Sequence, residues 1–385
     1  MKELRIAVVG SGFIGPVHVE ALRRLGCAVT GVLDYSPEMS RKAAQNLGVP
    51  RAYASYDELL DDASVDCVHI ASPNRLHFEH ASRALAAGKH VVCEKPLAMT
   101  SKETAALLRQ AKKAKGVAAV NYNMRFYPLC LEARERIRRG QLGKVFTVIG
   151  GFVQDWLLYP TDYNWRVLAE EGGQLRAISD IGTHWLDLIT FMTGLEVEAV
   201  CADLMTVHPV RLRPLGEVQT FSGKGKKKPA RTQPIPITTD DYGTVLLRFK
   251  GGARGTLTVS QVTAGRKCSL RFEIAAQNAA LAWDSESPNQ MWIGHRDKPN
   301  ELLMRDPALL SPAAARFASY PGGHNEGFAD TFKQLYREIH DCIRAGKRAK
   351  DSLFPTFEDG HRELLLCEAI AKSNQTRKWV EVKPM

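Results

Sequence analysis

The hydrophobic pattern changes character at about residue 121. Up to that point, short apolar runs alternate with stretches of helical period, as in βαβ units whose parallel strands are covered on both faces. A helix is predicted for Ser101–Lys115, where Ala105, Leu108 and Ala111 share one face. The predicted strands are Leu4–Val9, Ala28–Leu33, Val65–Ser72, His90–Cys93 and Val117–Asn121. Residues 1–121 are therefore predicted to form a doubly wound parallel sheet.

After residue 121 longer strands predominate. In Thr256–Ser260 every second residue is apolar, which is typical of a strand whose two faces differ. The hairpin-like spacing of such runs predicts a mainly antiparallel sheet, so residues 122–385 are predicted to be a second, α/β domain. Similar strands are predicted at Lys144–Asp155, Val197–Val207, Asp241–Phe249, Lys267–Ala275 and Gln290–Ile293, and helices at Pro128–Arg139, Gly182–Met192, His324–Ala345 and Glu358–Lys372.

The composition fits a folded protein of two domains. The chain has 385 residues, of which 44% are hydrophobic and 24% are charged. No apolar run approaches the roughly 18 residues of a membrane-spanning helix, and the first apolar run is interpreted as a strand rather than a signal peptide. The eight cysteines include no Cys-x-x-Cys pair, which predicts reduced thiols. Together these features predict a cytoplasmic protein with no membrane partner.

The formal net charge of +10 raises the question of nucleic-acid binding. The one dense basic run, Lys224–Lys228, lies in a Pro-, Gly- and Lys-rich excursion at 208–240, and no nucleic-acid motif accompanies it. A solvated loop is the favoured interpretation, so no nucleic-acid partner is predicted. A positive field would also attract the phosphates of a dinucleotide.

A glycine-rich turn follows the first predicted strand and precedes a helical pattern. In this context Gly10 permits a tight turn, Gly12 lets the backbone approach a pyrophosphate, and Gly15 lets helix and strand pack closely. The helix N-terminus would present free N–H groups to the phosphates. The predicted dinucleotide-binding segment is Gly10, Ser11, Gly12, Phe13, Ile14 and Gly15.

Asp34 stands at the end of the second predicted strand, 19 residues after Gly15 (34 − 15). A carboxylate at this place accepts hydrogen bonds from ribose hydroxyls and repels a 2′-phosphate. No arginine adjoins it, since Tyr35 and Ser36 follow. The cofactor is therefore predicted to be NAD, with NADP disfavoured.

Three segments together resemble the Gfo/Idh/MocA oxidoreductase family: Gly10–Gly15, Glu94-Lys95-Pro96 and Asp180–His184. The resemblance implies a Rossmann domain followed by an α/β domain with a large, open, mostly antiparallel sheet, and a substrate pocket between them. It also implies a homodimer or homotetramer formed through the open sheet face. We expect the C-terminal helix at about 358–372 to pack back on the Rossmann domain.

The resemblance also assigns residues to the cofactor. The loop after the third long strand is similar to the family segment that lines the nicotinamide side, and Trp165-Arg166 resembles a family pair near the cofactor. These assignments add Ser72, Pro73, Asn74, His77, Glu94, Lys95, Trp165 and Arg166 to the predicted cofactor-binding residues.

Removing a hydride from a carbinol carbon requires a base for the hydroxyl proton and a group that stabilises charge on oxygen. Lys95 could polarise the hydroxyl, His184 could act as the base, and Asp180, four residues before it, could orient one or both. The alternatives are an exposed loop lysine, a helix-capping aspartate and a core histidine. Some family members are assigned a lysine as the immediate proton acceptor, so the choice between Lys95 and His184 stays open.

Within the family, Met124–Tyr127, Gln154–Trp156 and Gly172–Arg176 most resemble the levoglucosan dehydrogenases and related glycoside 3-dehydrogenases. That similarity implies sugar contacts by Tyr127, Gln154 and Trp156, besides the three catalytic candidates; an aromatic and polar pair at a strand edge is the alternative. His324 either reaches the substrate or belongs to a helix-entry loop. The eleven histidines are dispersed and no motif has metal-ligand spacing, so no metal is predicted.

The leading hypothesis from these residues is an NAD-dependent dehydrogenase that oxidises a ring hydroxyl, at the 3-position, of a pyranose sugar or glycoside. One alternative is a redox-neutral enzyme that oxidises C3 transiently to drive elimination or glycoside cleavage. The other is a sensor of NAD or sugar without catalysis, which the presence of Lys95, Asp180 and His184 disfavours. The identity of the sugar depends on pocket geometry.

Overall fold

The structure is a computed structural model that describes residues 3–215, 231–346 and 352–385. The basic run Lys224–Lys228 and its predicted role as a solvated loop lie outside the described residues.

The first 122 residues form a six-stranded parallel sheet in the order β3-β2-β1-β4-β5-β6, covered by helices. Each predicted strand is present, because its apolar run fills the core between the two helical layers. The two-residue strand β3 was not predicted. The strands are β1 (Arg5–Val9), β2 (Ala28–Leu33), β3 (Arg51–Ala52), β4 (Cys67–Ile70), β5 (His90–Cys93) and β6 (Ala118–Val120), and the helices are α1 (Ile14–Arg24), α2 (Pro37–Leu47), α3 (Tyr56–Asp61), α4 (Asn74–Ala86) and α5 (Ser101–Lys113).

The rest of the chain is built around a nine-stranded mixed sheet. The helices are α6 (Pro128–Arg138), α7 (Ala169–Gly172), α8 (Thr183–Thr193), α9 (Pro312–Ala315), α10 (Phe328–Ala345) and α11 (Phe357–Thr376). The strands are β7 (Val145–Val153), β8 (Val197–Met205), β9 (Val210–Pro214), β10 (Thr232–Pro236), β11 (Tyr242–Phe249), β12 (Arg254–Ser260), β13 (Ser269–Ala276), β14 (Ala280–Asp284), β15 (Gln290–Gly294), β16 (Glu301–Met304) and β17 (Val380–Glu381).

This sheet has the order β16-β15-β14-β13-β7-β12-β11-β8-β17. Only β7 and β12 are parallel neighbours, and every other adjacent pair is antiparallel. Side chains on one face are buried, whereas those on the other remain half-buried or exposed, as the alternating pattern predicts. The predicted fold class, a Rossmann domain and an α/β domain with a mostly antiparallel sheet, is confirmed.

Besides the short elements α7, α9, β14, β16 and β17, which were not predicted, two segments differ from the prediction. Within the excursion at 208–240, β9 and β10 pair as an antiparallel ribbon, which the Pro-rich sequence did not indicate. The helix predicted from Gly182 is preceded by a π-helical turn, Ile178–Gly182. The carboxylate of Asp240 accepts the backbone N–H groups of Arg176 (2.6 Å) and Ile178 (2.9 Å), and this long-range cap extends the helical path toward the N-terminus.

The C-terminal helix α11 contacts the first sheet as well as the second. The N–H of Val120 in β6 donates to Pro355 O (2.9 Å), and the Glu368 carboxylate accepts the N–H of Ser101 at the start of α5 (2.8 Å). Phe357 packs in the same apolar cluster as the Rossmann strands. Among the helices that the structure describes, none combines the length and apolarity needed to cross a membrane.

Candidate active site

The turn after β1 has the geometry of a phosphate cradle. A Cβ on Gly10 (φ 95°) would lie 2.5 Å from Ala71 O, and one on Gly15 would lie 2.1 Å from Gly10 O, so both positions require glycine. At Gly12 nothing lies within 4 Å of such a Cβ. That open space stands beside half-exposed Phe13 and the start of α1 at Ile14, and the first N–H groups of a helix have no acceptor within the helix and favour a bound anion. The residues present therefore fit a dinucleotide.

Asp34 closes one side of this turn. Its carboxylate accepts the N–H groups of Ser11 (2.8 Å) and Tyr35 (2.7 Å), which fixes it at the end of β2. Oδ2 also accepts the Ser11 hydroxyl, whereas Oδ1 accepts the Tyr35 N–H and keeps a second lone pair for a ribose hydroxyl. A phosphate in the same place would meet a fixed negative charge.

The loop between β4 and α4 is fastened to neighbouring loops. Ser72 Oγ lies 3.0 Å from His80 Nδ1, and Pro73 leads into α4. His77 is buried with Nδ1 2.7 Å from Pro96 O and Nε2 2.8 Å from Ser72 O. The Asn74 amide donates to Gly172 O (3.0 Å) in the second domain. The predicted cofactor residues of this loop therefore share one edge of the sheet with the turn that follows β5.

Lys95 lies in that turn, and the Lys95–Pro96 peptide bond is cis. Its Nζ donates to the carbonyl oxygen (2.7 Å) and to Oδ1 (2.9 Å) of Asp180. The buried carboxylate of Glu94 accepts the N–H of Lys95 (3.1 Å), His18 Nε2 (3.1 Å) and the Asn121 amide. Burial alone would raise the pKa of Glu94, but His18 and Lys95 lower it to about 2. The Lys95 main chain is thus tied to a fixed carboxylate.

Asp180 receives donors from both domains. Besides Lys95, Gln261 Nε2 donates to its Oδ2 (2.8 Å), and Arg166 Nε lies 3.7 Å from Oδ1. Burial favours the neutral acid, yet Lys95 and Arg166 hold the pKa of Asp180 well below its usual range. The Arg166 guanidinium also stacks on Trp165, 4.4 Å from the ring centroid.

His184 is buried on α8, with its ring edge-on to Tyr122 at a centroid distance of 5.6 Å. Burial and the positive charge of Lys95 lower the pKa of His184 to about 3, so its imidazole is neutral at physiological pH. The sequence predicts that Asp180 orients Lys95, His184 or both. The carboxylate binds Lys95 and Gln261, and no hydrogen bond among the described residues joins it to His184.

Family models match two consecutive parts of the chain. Residues 4–122 match "Oxidoreductase family, NAD-binding Rossmann fold", and residues 130–282 match "GFO/IDH/MocA C-terminal domain". The chain belongs to the Gfo/Idh/MocA oxidoreductase family. Its first domain is therefore an NAD-binding Rossmann domain, and the protein is an oxidoreductase of a family that includes sugar dehydrogenases.

Individual family members align over the full length. Levoglucosan dehydrogenase of Pseudarthrobacter phenanthrenivorans is 28% identical, with 99% of each chain covered. Myo-inositol 2-dehydrogenase of Thermotoga maritima is 29% identical, again with 99% of each chain covered. A solved levoglucosan dehydrogenase in complex with NADH and levoglucosan superposes with a TM-score of 0.87 at 26% identity, covering 100% of both chains.

The structure does not join the four predicted sugar contacts to the Lys95–Asp180 pair by any described hydrogen bond. Tyr127 is buried with its ring 4.9 Å from that of Trp283, and Gln154 directly follows β7. Trp156 packs in an apolar cluster with Leu157, Val167 and Ile237. His324 is exposed in the loop that enters α10.

Sequence reasoning missed three polar residues of the candidate site: His18, Asn121 and Gln261. All three are buried and bind either Glu94 or Asp180. The available signal was position, since Asn121 and Gln261 each directly follow a strand, β6 and β12. Within the part of the chain that the structure describes, no three His, Cys, Asp or Glu side chains are grouped as a metal site requires.

Proposed function

We propose that this protein is an NAD-dependent dehydrogenase that oxidises a ring hydroxyl of a pyranose sugar or glycoside to a ketone. The observation that carries the proposal is the Lys95 ammonium, held by Asp180 at the carboxyl end of a Rossmann strand. Open α/β sheets bind ligands at that edge. The aligned levoglucosan dehydrogenase supports a sugar substrate, and the resemblance to glycoside 3-dehydrogenases supports oxidation at C3.

In the proposed reaction, Lys95 donates a hydrogen bond to the reacting hydroxyl, and His184 accepts its proton. The ammonium already binds Asp180 and has no free lone pair, whereas the neutral imidazole has one. NAD, held by the Gly10–Gly15 turn and Asp34, would supply the hydride acceptor at the same carbon. The two electrons of the C–H bond leave with the hydride, the O–H proton passes to His184, and a C=O group remains.

We propose that NAD and the sugar are bound by the residues that the sequence predicts for them. Ser72, Pro73, Asn74, His77, Glu94, Lys95, Trp165 and Arg166, together with the Gly10–Gly15 turn and Asp34, would hold NAD. Tyr127, Gln154, Trp156 and His324 would contact the sugar. The fixed carboxylate of Asp34 supports NAD over NADP.

We further propose that the open face of the nine-stranded sheet forms a subunit interface in a homodimer or homotetramer. Ile149, Trp292 and Leu302 line one shallow concavity on this face, and Leu246 and Met304 are exposed nearby in the same sheet. Of these, Trp292 and Leu302 are paired neighbours on β15 and β16, and exposed apolar side chains grouped on one face mark association sites.

The test is a panel of pyranosides and polyols mixed with NAD or NADP, with NADH or NADPH formation followed by absorbance. Turnover with NAD is expected to exceed turnover with NADP. Replacement of Lys95 or His184 by Ala should lower kcat about 100-fold or more, since each removes a proton-transfer or charge-stabilising group. Lys102→Ala, on the exposed surface of α5, is the matched control and should retain wild-type turnover.

Near-full activity of Lys95→Ala or His184→Ala would contradict the proposal. Conversion of a glycoside without net NADH would instead identify the redox-neutral reaction. Binding of NADH and sugar without any conversion would identify a sensor.

A further inference from the structure

A chain of buried polar side chains leads away from Asp180 into the second domain. Gln261, Arg176, Asp241 and Arg211 are each at most 2% exposed. Gln261 bonds Asp180 at one end and Arg176 Nη1 at the other, and Asp241 binds both Arg176 and Arg211. Most buried polar groups in proteins are hydrogen-bonded, and these bonds link the four side chains into one connected unit.

The chemistry of this chain fixes which way the Gln261 amide points. Arginine can only donate, so the atom that faces Arg176 must be the carbonyl oxygen Oε1. The amide nitrogen Nε2 then has to face Asp180, where it donates to Oδ2 at 2.8 Å. A flipped amide would set donor against donor at Arg176 and acceptor against carboxylate at Asp180.

The backbone of Gln261 is held as firmly as its side chain. Its N–H donates to Asp241 O (2.9 Å), and its carbonyl accepts the N–H of Leu157 (3.1 Å). Arg211 in turn donates to the carbonyl oxygens of Leu157 (3.0 Å) and Tyr159 (2.9 Å). The same buried chain of hydrogen bonds therefore holds both the segment that follows Trp156 and the carboxylate of Asp180.

We propose that Gln261 is a positioning residue that aims the Asp180 carboxylate at Lys95, with its own orientation set by Arg176. Without the Gln261 donor, Asp180 Oδ2 loses its 2.8 Å hydrogen bond, and the partly buried carboxylate is free to turn away from the Lys95 ammonium. This inference rests on the proposed dehydrogenase function, because the loss of this positioning is expected to lower turnover. It assigns no contact with substrate to Gln261.

Two substitutions distinguish the role of the amide nitrogen, which faces Asp180, from that of the amide oxygen, which faces Arg176. Gln261→Leu removes both hydrogen bonds at similar volume. Gln261→Glu keeps an acceptor for Arg176 but replaces the donor that faces Asp180 with a second carboxylate oxygen. Thr263→Val, two residues along the same segment, removes one hydroxyl hydrogen bond to Ser260 and has no bond to Asp180, so it is the matched control.

At pH 8, both Gln261 variants should show kcat about tenfold lower or more, with the Kd for NADH close to that of wild type, since a hydrogen bond to a charged group is lost. The Gln261→Glu variant has a further signature. When the introduced carboxyl is protonated it regains an O–H donor toward Asp180, so its activity relative to wild type should rise as the pH is lowered. A purely structural role for Gln261 predicts no such recovery.

A second readout needs no turnover. Acylation of Lys95 by an amine-reactive ester, quantified by peptide mass spectrometry at fixed pH, reports how strongly its ammonium is stabilised. In Gln261→Leu, which adds no charge, the Asp180 carboxylate should hold the ammonium less firmly, so the labelling of Lys95 should be about threefold faster or more, relative to Thr263→Val and to wild type. If wild type oxidises no sugar but this faster labelling is seen, the proposed function fails while the coupling stands.

The proposal is overturned if Gln261→Glu turns over at the wild-type rate at pH 8. It is also overturned if the kcat deficit is independent of pH and Lys95 is labelled at the wild-type rate. If Gln261→Leu does not fold, the Gln261→Glu arm decides alone, because it keeps the acceptor for Arg176.

Discussion

At the scale of single residues, Lys95 makes the contact that defines the candidate site. Lysine is seldom buried, yet the Lys95 side chain is only 13% exposed. Its ammonium crosses from the Rossmann domain to two oxygens of Asp180, 85 positions later in the chain. The position of the Lys95 ammonium, which would polarise the substrate, therefore depends directly on how the two domains are placed relative to each other.

His340, remote from the Lys95–Asp180 pair, carries a residue-scale prediction about pH. It is buried between α10 and the Rossmann core, near Arg344 and His90, and its Nε2 has no hydrogen-bond partner among the described residues. Burial and Arg344 lower the pKa of His340 to about 3, against about 6.5 in an unfolded chain. Between these two pKa values the His340 imidazole is protonated in the unfolded state and neutral in the folded state. The free energy of unfolding therefore decreases as the pH falls below 6.5.

The measurement is the free energy of unfolding of wild type and His340→Leu at pH 7 and pH 5. The variant should lose about 2 kcal/mol less than wild type over this interval, since it has no imidazole to protonate. Equal losses in the two proteins would show that His340 does not titrate as its burial implies.

The sequence was informative about residues that belong to short motifs and silent about their distant partners. The spacing of Gly10, Gly12 and Gly15 predicts a dinucleotide-binding turn, because the tight turn, the approach of the pyrophosphate and the close packing of helix on strand leave no room for side chains. Gln261 carried no such signal, since its partner Asp180 lies 81 positions away and its role depends on which strand ends meet. Hydrogen bonds of this separation follow from the sheet order, which a local pattern does not specify.

At the scale of elements, the β1–α1 turn separates ligand binding from folding. A Cβ at Gly12 meets nothing within 4 Å, so Gly12→Ala should keep a melting temperature close to wild type while NADH affinity falls about tenfold or more. A Cβ at Gly15 would lie 2.1 Å from Gly10 O, so Gly15→Ala should cost about 2 kcal/mol of stability or more. Thermal unfolding and fluorescence titration with NADH measure the two effects.

Gly327→Ala is the control, because that position is equally open and lies at the start of α10 rather than in the turn. NADH affinity in this variant should match wild type. Unchanged affinity in Gly12→Ala as well would mean that the pyrophosphate does not approach the turn at this residue.

Elements with a strong apolar period were predictable, and those held by tertiary contacts were not. The Rossmann strands other than β3, together with β12, follow from runs that no other element accommodates. The π-helical turn Ile178–Gly182 depends on the Asp240 carboxylate, and β9 and β10 depend on pairing with each other across a Pro-rich excursion. Local propensity opposes these last elements, so only the assembled domain stabilises them.

At the scale of the whole molecule, the open sheet face predicts self-association. Sedimentation velocity should give a mass near two or four times the chain mass of 42.7 kDa. Trp292→Asp places a charge in the concavity of that face and should shift the population toward monomer. Tyr35→Asp, on an exposed tyrosine of the Rossmann domain, should leave the mass unchanged. A wild-type protein that sediments as a monomer at micromolar concentration would exclude this interface.

The position of α11 has a consequence for the order in which the protein is made. Phe357 belongs to the apolar cluster of the first sheet, and the segment around Thr356 bridges the edge strand β6 at Ala119. When the ribosome has synthesised residues 1–122, the nucleotide-binding sheet therefore still lacks the side chain of Phe357 in its apolar core. Synthesis runs through eight of the nine strands of the second sheet, all but β17, before that place in the core is filled, so the domain that begins first is among the last to be completed.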